Sequence, residues 1–183
     1  MNQPSISSLL TLWGFQLPTS TQIKSADRLF VSECQALESL FFKAKATHSQ
    51  YSDEQLLLGV LAHKYQGLLG AFQQQLPSLL AMRGAIDDNI SAEFQGAFQA
   101  HIVQQIWLTL HLWLFVQGRL QMDYSLANDY AGQGAELIGQ LTTTTTNEWR
   151  SQWNQSFYLG RDSKQTKNSC LKQLLIRLRK LLS

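Results

Sequence analysis

Proline is scarce in this chain, which has only Pro4, Pro18 and Pro77 in 183 residues, and Val/Ile-rich alternating runs are absent. Few helix breakers and no period-two pattern together exclude a sheet protein and predict an all-α fold. Charge is also sparse: 15% of residues are charged against 44% hydrophobic, so Gln, Ser and Thr must supply much of the polar surface. The two cysteines, Cys34 and Cys170, are far apart and form no C-x-x-C pair, which points away from a zinc site or a disulfide framework and toward a reducing compartment. No charged leader or small-residue cleavage site marks the N-terminus, so it does not read as a secretory signal.

Catalytic patterns are missing too. There is no G-x-x-x-x-G-K-[ST] for phosphate, no H-E-x-x-H and no E-x-x-H of the di-iron type. His48, His63, His101 and His111 are scattered, without a carboxylate at i+3 or i+4 on a shared face. The acid pairs Asp53-Glu54 and Asp87-Asp88 fall at a predicted helix start and a turn, where capping accounts for them. Cys34 reads as a small buried hydrophobe, with no activating charge evident. The expectation is no catalytic, cofactor or metal residue, and a protein that is not an enzyme.

What the chain does have is one dominant apolar segment, His101–Met122, HIVQQIWLTLHLWLFVQGRLQM. Gln104, Gln105, Thr109 and His111 interrupt it, and it is shorter than the ~18–20 apolar residues a membrane span needs. It therefore reads as a buried central helix that neighbours must cover. Covering faces are available. Residues 5–17 place Ile6, Leu9, Leu10, Trp13 and Leu17 on one side of a short helix ended by Pro18. Residues 25–46 carry a single seam, Phe30, Cys34, Leu37, Phe41 and Ala44. Ser52 and Gln55 form a capping box that opens a helix with Leu57, Leu61, Tyr65, Leu68, Phe72, Leu76 and Leu79 along one face, expected to end or kink before Pro77.

Beyond turns at 82–84 and 87–89, Ser91 caps a predicted short helix with Phe94 and Phe98 that leads into the central segment. A loop is expected over 123–128, then a helix over 130–141 weakened by three glycines, then a threonine linker over 142–146. Trp149, Trp153 and Phe157, four apart, read as core or a partner groove rather than a cofactor box. Residues 1–160 are thus expected to form a helical-bundle domain. Residues 161–183 are expected to be a basic linker followed by an amphipathic helix from Cys170, a candidate juxtamembrane segment.

The net charge of +2 hides an asymmetry. Residues 161–183 hold seven Lys/Arg against Asp162 alone, a net of +6, whereas residues 1–160 hold eight basic and twelve acidic side chains, a net of −4. Lys172, Arg177, Arg179 and Lys180 are the membrane-proximal basic candidates, suited to an anionic surface. The competing reading is a helical nucleic-acid-binding accessory protein that uses this tail. The acidic body and the absence of a recognition-helix or stacking-platform pattern weigh against nucleic acid. A third reading is a helical enzyme whose small-molecule site has no sequence signature.

Three local patterns, in order, resemble the cytoplasmic domain of TssL, the IcmH/DotU-type inner-membrane subunit of bacterial type VI secretion systems. Asp27-Arg28-Leu29-Phe30 followed by Cys34-Gln35 and Glu38 is similar to the start of the family's first long helix. Tyr51-Ser52 opens a helix holding Ala62 and Tyr65, in the place of its second core helix. Most specific is Leu114-Phe115-Val116-Gln117-Gly118-Arg119-Leu120, which resembles the family's Leu-Gly-Phe-(Gln/Glu)-Gly-(Arg/Lys)-Tyr signature. The chain departs from the family in having Gly67-Leu68-Leu69 where a Leu-Asp-Glu element is usual. The resemblance covers about half the chain. It implies a bundle of seven or eight helices in two packed sub-bundles, and a non-enzymatic scaffold on the cytoplasmic face of the inner membrane that links the membrane complex to the baseplate. It implies secretion-complex subunits as partners, with an anionic membrane surface and a second copy of the chain as further candidates. Gln117, Gly118, Arg119, Leu68 and Leu69 are its signature and contact candidates, and no cofactor is implied.

Overall fold

The computed structural model describes residues 4–19, 23, 25–84, 89–140, 142 and 145–181; within the helices, the side chains of 72, 73, 75–84, 89–95, 98, 99 and 166–181 lie outside that description. The described residues form six helices and no strand: α1 (Ile6–Leu12), α2 (Ala26–Thr47), α3 (Asp53–Gly84), α4 (Asn89–Arg119), α5 (Tyr124–Gly139) and α6 (Thr146–Leu181). The all-α expectation holds, but the expected count of seven or eight does not, because helices read as separate are continuous. α3 passes through Pro77: losing one N–H costs a single intrahelical bond, and the turns on either side remain. The short helix expected at Ser91 is the first part of α4. Residues 161–169, read as a linker, are helical within α6. Their polar composition marks an exposed helix face as readily as a loop. Of the turns expected near 82–89, 82–84 are helical, Asn89 begins α4, and Asp87-Asp88 lie outside the described residues.

Helix ends follow local chemistry. The Ser5 hydroxyl accepts from Ser8 N–H and starts α1. Gly14, at φ +89°, turns the chain out of α1 four residues before Pro18. Ser52 and Gln55 make the expected reciprocal box, at 2.9 and 3.2 Å. Two caps escaped the sequence reading. Asp123 accepts from Ser125 N–H and starts α5 within the predicted loop. Thr145 and Glu148 form a second capping box that starts α6 from the threonine run.

α4 is the centre of the molecule, as expected of the most apolar segment. Every residue from Ile106 to Arg119 is buried, and α6, α3 and α5 pack around it. α6 supplies Trp149, Trp153 and Phe157, all fully buried, so the aromatic stripe is core. α3 supplies Leu57, Leu61 and Tyr65, whose ring lies 4.9 Å from that of Trp113. The segment after α1 closes one end, where Phe15 stacks on Phe30 of α2 and meets Phe115 of α4 edge-on.

Candidate functional site

The signature residues sit where α4 stops. Met122 N–H bonds to Gln117 O at 3.1 Å and Gln121 N–H to Gly118 O at 2.9 Å, with Gln121 in the left-handed region at φ +55°. This is a Schellman closure in which glutamine occupies the position glycine usually takes. Gly118 is therefore not the cap; it answers a different need. A Cβ at Gly118 would lie 2.0 Å from Phe157 O, and a Cβ at Gly160 would lie 2.0 Å from Phe115 O. The two glycines face each other across α4 and α6, so that the backbones touch.

One residue further on, Arg119 is 4% exposed. Its Nη2 and Nε donate to Glu54 Oε1 at 2.7 and 3.2 Å. Its Nη1 donates to Trp13 O and to Ser163 Oγ, both at 3.0 Å, and the guanidinium lies over the Trp13 ring at 5.1 Å. One cation thus fastens the end of α4 to α3, to α6 and to the residue that ends α1. Gln117, 3% exposed, lies in the same interior, and its side-chain oxygen has no partner among the described residues. Gly118 and Arg119 thus hold helices of their own chain together. Leu68 and Leu69 are half-buried on α3 and pack against the core. Lys172, Arg177, Arg179 and Lys180 lie along α6, with side chains outside the described residues.

The side chains best suited to chemistry are disarmed by burial. His111 is fully buried; its Nδ1 shares a 2.7 Å hydrogen bond with Ser156 Oγ, and its ring meets Trp107 edge-on. Desolvation pulls its pKa down to about 3, so it is neutral at physiological pH and a weak base. The Cys34 thiol is pushed up to about 12 by burial and by the Glu33 carboxylate beside it, so it is a thiol rather than a thiolate. Glu33 is buried and pairs with Lys64 across α2 and α3.

The surface carries several concavities, among them a hollow of about 540 Å³ between residues 16–19 and α6. An apolar groove of about 490 Å³ runs between α2 and α3, lined by Leu40, Ala44, Leu56 and Val60, with His48 and His63 on its edges. Leu40 and Tyr51 at its margin are about half exposed. A polar cleft of about 410 Å³ lies between α5 and α6 around Arg150. Sequence reasoning found none of these. The groove exists because Gly59 and the side chains around it leave α2 and α3 unsealed, and pairing between helices is not written in either helix alone. Gly160 was missed as well, although an isolated glycine inside an amphipathic helix is itself a signal of close packing.

No protein-family model, curated protein or solved structure matches this chain significantly. No described helix is long and apolar enough to cross a membrane.

Proposed function

We propose that this protein is a non-enzymatic scaffold subunit of a type VI secretion membrane complex, joining inner-membrane and baseplate proteins at the cytoplasmic face. The observation that carries the reading is the role of Gln117-Gly118-Arg119. The stretch that most resembles the TssL signature is also the stretch that brings the backbones of α4 and α6 into contact and ties the ends of α4, α3 and α1 to the middle of α6, through Gly118 against Phe157 O and Arg119 on Glu54, Trp13 and Ser163. A motif with that duty accounts for likeness in a family whose partner surfaces differ. A neutral, buried His111 and a protonated Cys34 favour binding over catalysis. The α2–α3 groove, with Leu40 and Tyr51 exposed beside it, is the apolar surface open to a partner.

Co-purification tests the reading. The full chain should retain membrane-complex and baseplate subunits of a type VI apparatus at about 150 mM salt, and should not retain duplex DNA. Retention of DNA with no secretion subunit recovered would favour the nucleic-acid alternative and end the scaffold proposal.

A further inference from the structure

We propose that the cleft between α5 and α6 receives a carboxylate from an acidic segment of a protein partner, with Arg150 as the receiving group. Its polar walls come from Asn128 on α5 and from Arg150, Ser151, Asn154 and Tyr158 on α6, and no carboxylate lines it among the described residues. Arg150 is half-buried. Its Nη2 donates to Asn128 Oδ1 at 3.0 Å, and Asn154 Nδ2 approaches the same oxygen at 3.5 Å. The guanidinium lies beside α5: a Cβ at Gly132 would stand in ordinary van der Waals contact, 3.8 Å, with Arg150 Cζ and Nε. The group is therefore positioned, and the atom it holds is a neutral amide oxygen.

Several other cations of this chain hold carboxylates. Arg119 holds Glu54, Lys64 holds Glu33 and Lys45 holds Asp53, whereas no carboxylate among the described residues lies within ion-pair reach of Arg150. A partly desolvated guanidinium with free donors binds a planar carboxylate through two parallel bonds, and its fork fits a phosphate in the same way, so the surroundings decide the source. Three further features favour a protein as the source of that carboxylate. Tyr158, 37% exposed, stands on the wall with Tyr124 beside it at 5.2 Å, and Arg161 covers its ring at 4.7 Å. Tyrosine and arginine together are the composition of an interface core. The cleft is an open trough rather than an enclosed chamber, which fits a chain laid along it. Finally, the sequence of α6 carries eight Lys/Arg against two acidic residues, a net positive charge that attracts acidic sequence. The proposal deepens the scaffold reading by naming the chemistry of one partner surface, and rests on it only for the partner being a protein.

The test titrates the full chain with a hexaglutamate peptide and, separately, with inorganic phosphate, following the side-chain amide NMR signals of Asn128 and Asn154. Hexaglutamate should shift both signals saturably, and phosphate should not saturate over the same range. R150Q should weaken the peptide at least about tenfold, and K164Q less than about twofold. A non-saturating peptide titration overturns the proposal; so does equal weakening by R150Q and K164Q, and so does phosphate binding as tight as that of the peptide. If R150Q does not fold, R150K asks the same question with the charge kept and the planar fork removed, and unchanged affinity in R150K overturns the proposal. No secretion subunit enters this titration, so its failure is separate from failure of the co-purification.

Discussion

The α4–α6 seam and the α2–α3 seam are built by the same chain from long helices, and they end in opposite states. At the first, Gly118 and Gly160 let two backbones touch, Trp153 Nε1 donates to Trp107 O at 3.0 Å, and His111 Nδ1 shares a hydrogen bond with Ser156 Oγ in the middle. At the second, Gly59 has nothing within 4 Å of where its Cβ would stand, and the helices part to leave the apolar groove. Glycine is common to both. Whether it brings helices together or leaves them unsealed depends on what faces it, here a carbonyl in one case and open space in the other. A closed seam contributes stability; an open one leaves apolar surface for something else to cover.

The largest blow to the closed seam is Arg119→Ala. It strands the Glu54 carboxylate, 17% exposed, and removes the donors to Trp13 O and Ser163, so unfolding in urea should show a loss of about 3 kcal/mol or more. Lys164→Ala, as a control, should fall within about 0.5 kcal/mol. A similar loss in both would show that Arg119 has no special place.

Gly118→Ala comes next. Its Cβ would meet Phe157 O, which belongs to backbone and cannot swing aside, so α4 and α6 must separate, at a cost near the upper end of overpacking, about 3 kcal/mol. A melting temperature equal to that of the parent would mean that the helices do not touch there.

Acid should also act on the closed seam. The folded chain holds His111 near pKa 3, against 6.5 when unfolded. Below about pH 6.5 the unfolded chain takes up a proton that the folded chain refuses. The contribution of His111 is therefore fully present above that pH and falls by about 1.4 kcal/mol per unit as pH drops, until the folded His111 itself protonates near pH 3. His111→Asn should flatten the stability profile between pH 6 and 4 by about one proton's worth of slope. An unchanged profile would refute the burial argument.

The smallest effect, and the only one of opposite sign, belongs to the open seam. Gly59→Ala meets no neighbour and gains helix propensity, so it should stabilise the chain by about 0.5–1 kcal/mol. Destabilisation would mean that α2 and α3 close in solution.

Much of this architecture was legible in the sequence wherever one segment carries its own information. The Cys34–Leu37–Phe41 seam, the Ser52/Gln55 box, the central helix and the Trp149–Trp153–Phe157 stripe are all where periodicity and capping put them. The failures were of continuity. Pro77, Ser91 and 161–169 all read as punctuation, and helix runs through each, because neighbouring turns outweigh one weak residue. The site was less legible. Gln117-Gly118-Arg119 stood out as a pattern, but the carbonyl facing Gly118 and the carboxylate facing Arg119 lie 39 and 65 positions away, and only the fold brings them there. Arg150 carried no mark at all, since Asn128, which holds its guanidinium, lies 22 positions away on another helix.

All five indoles of this protein, Trp13, Trp107, Trp113, Trp149 and Trp153, are at most 8% exposed, and none lines the α2–α3 groove. Trp149 and Trp153 stack at 5.8 Å with 25° between their planes. The molecule's optical signal is accordingly one-sided. Tryptophan emission and near-ultraviolet dichroism report when the centre loosens, and they stay dark to a ligand that settles into the groove. A binding assay there needs a label of its own, and a flat fluorescence titration says nothing about whether the groove is filled.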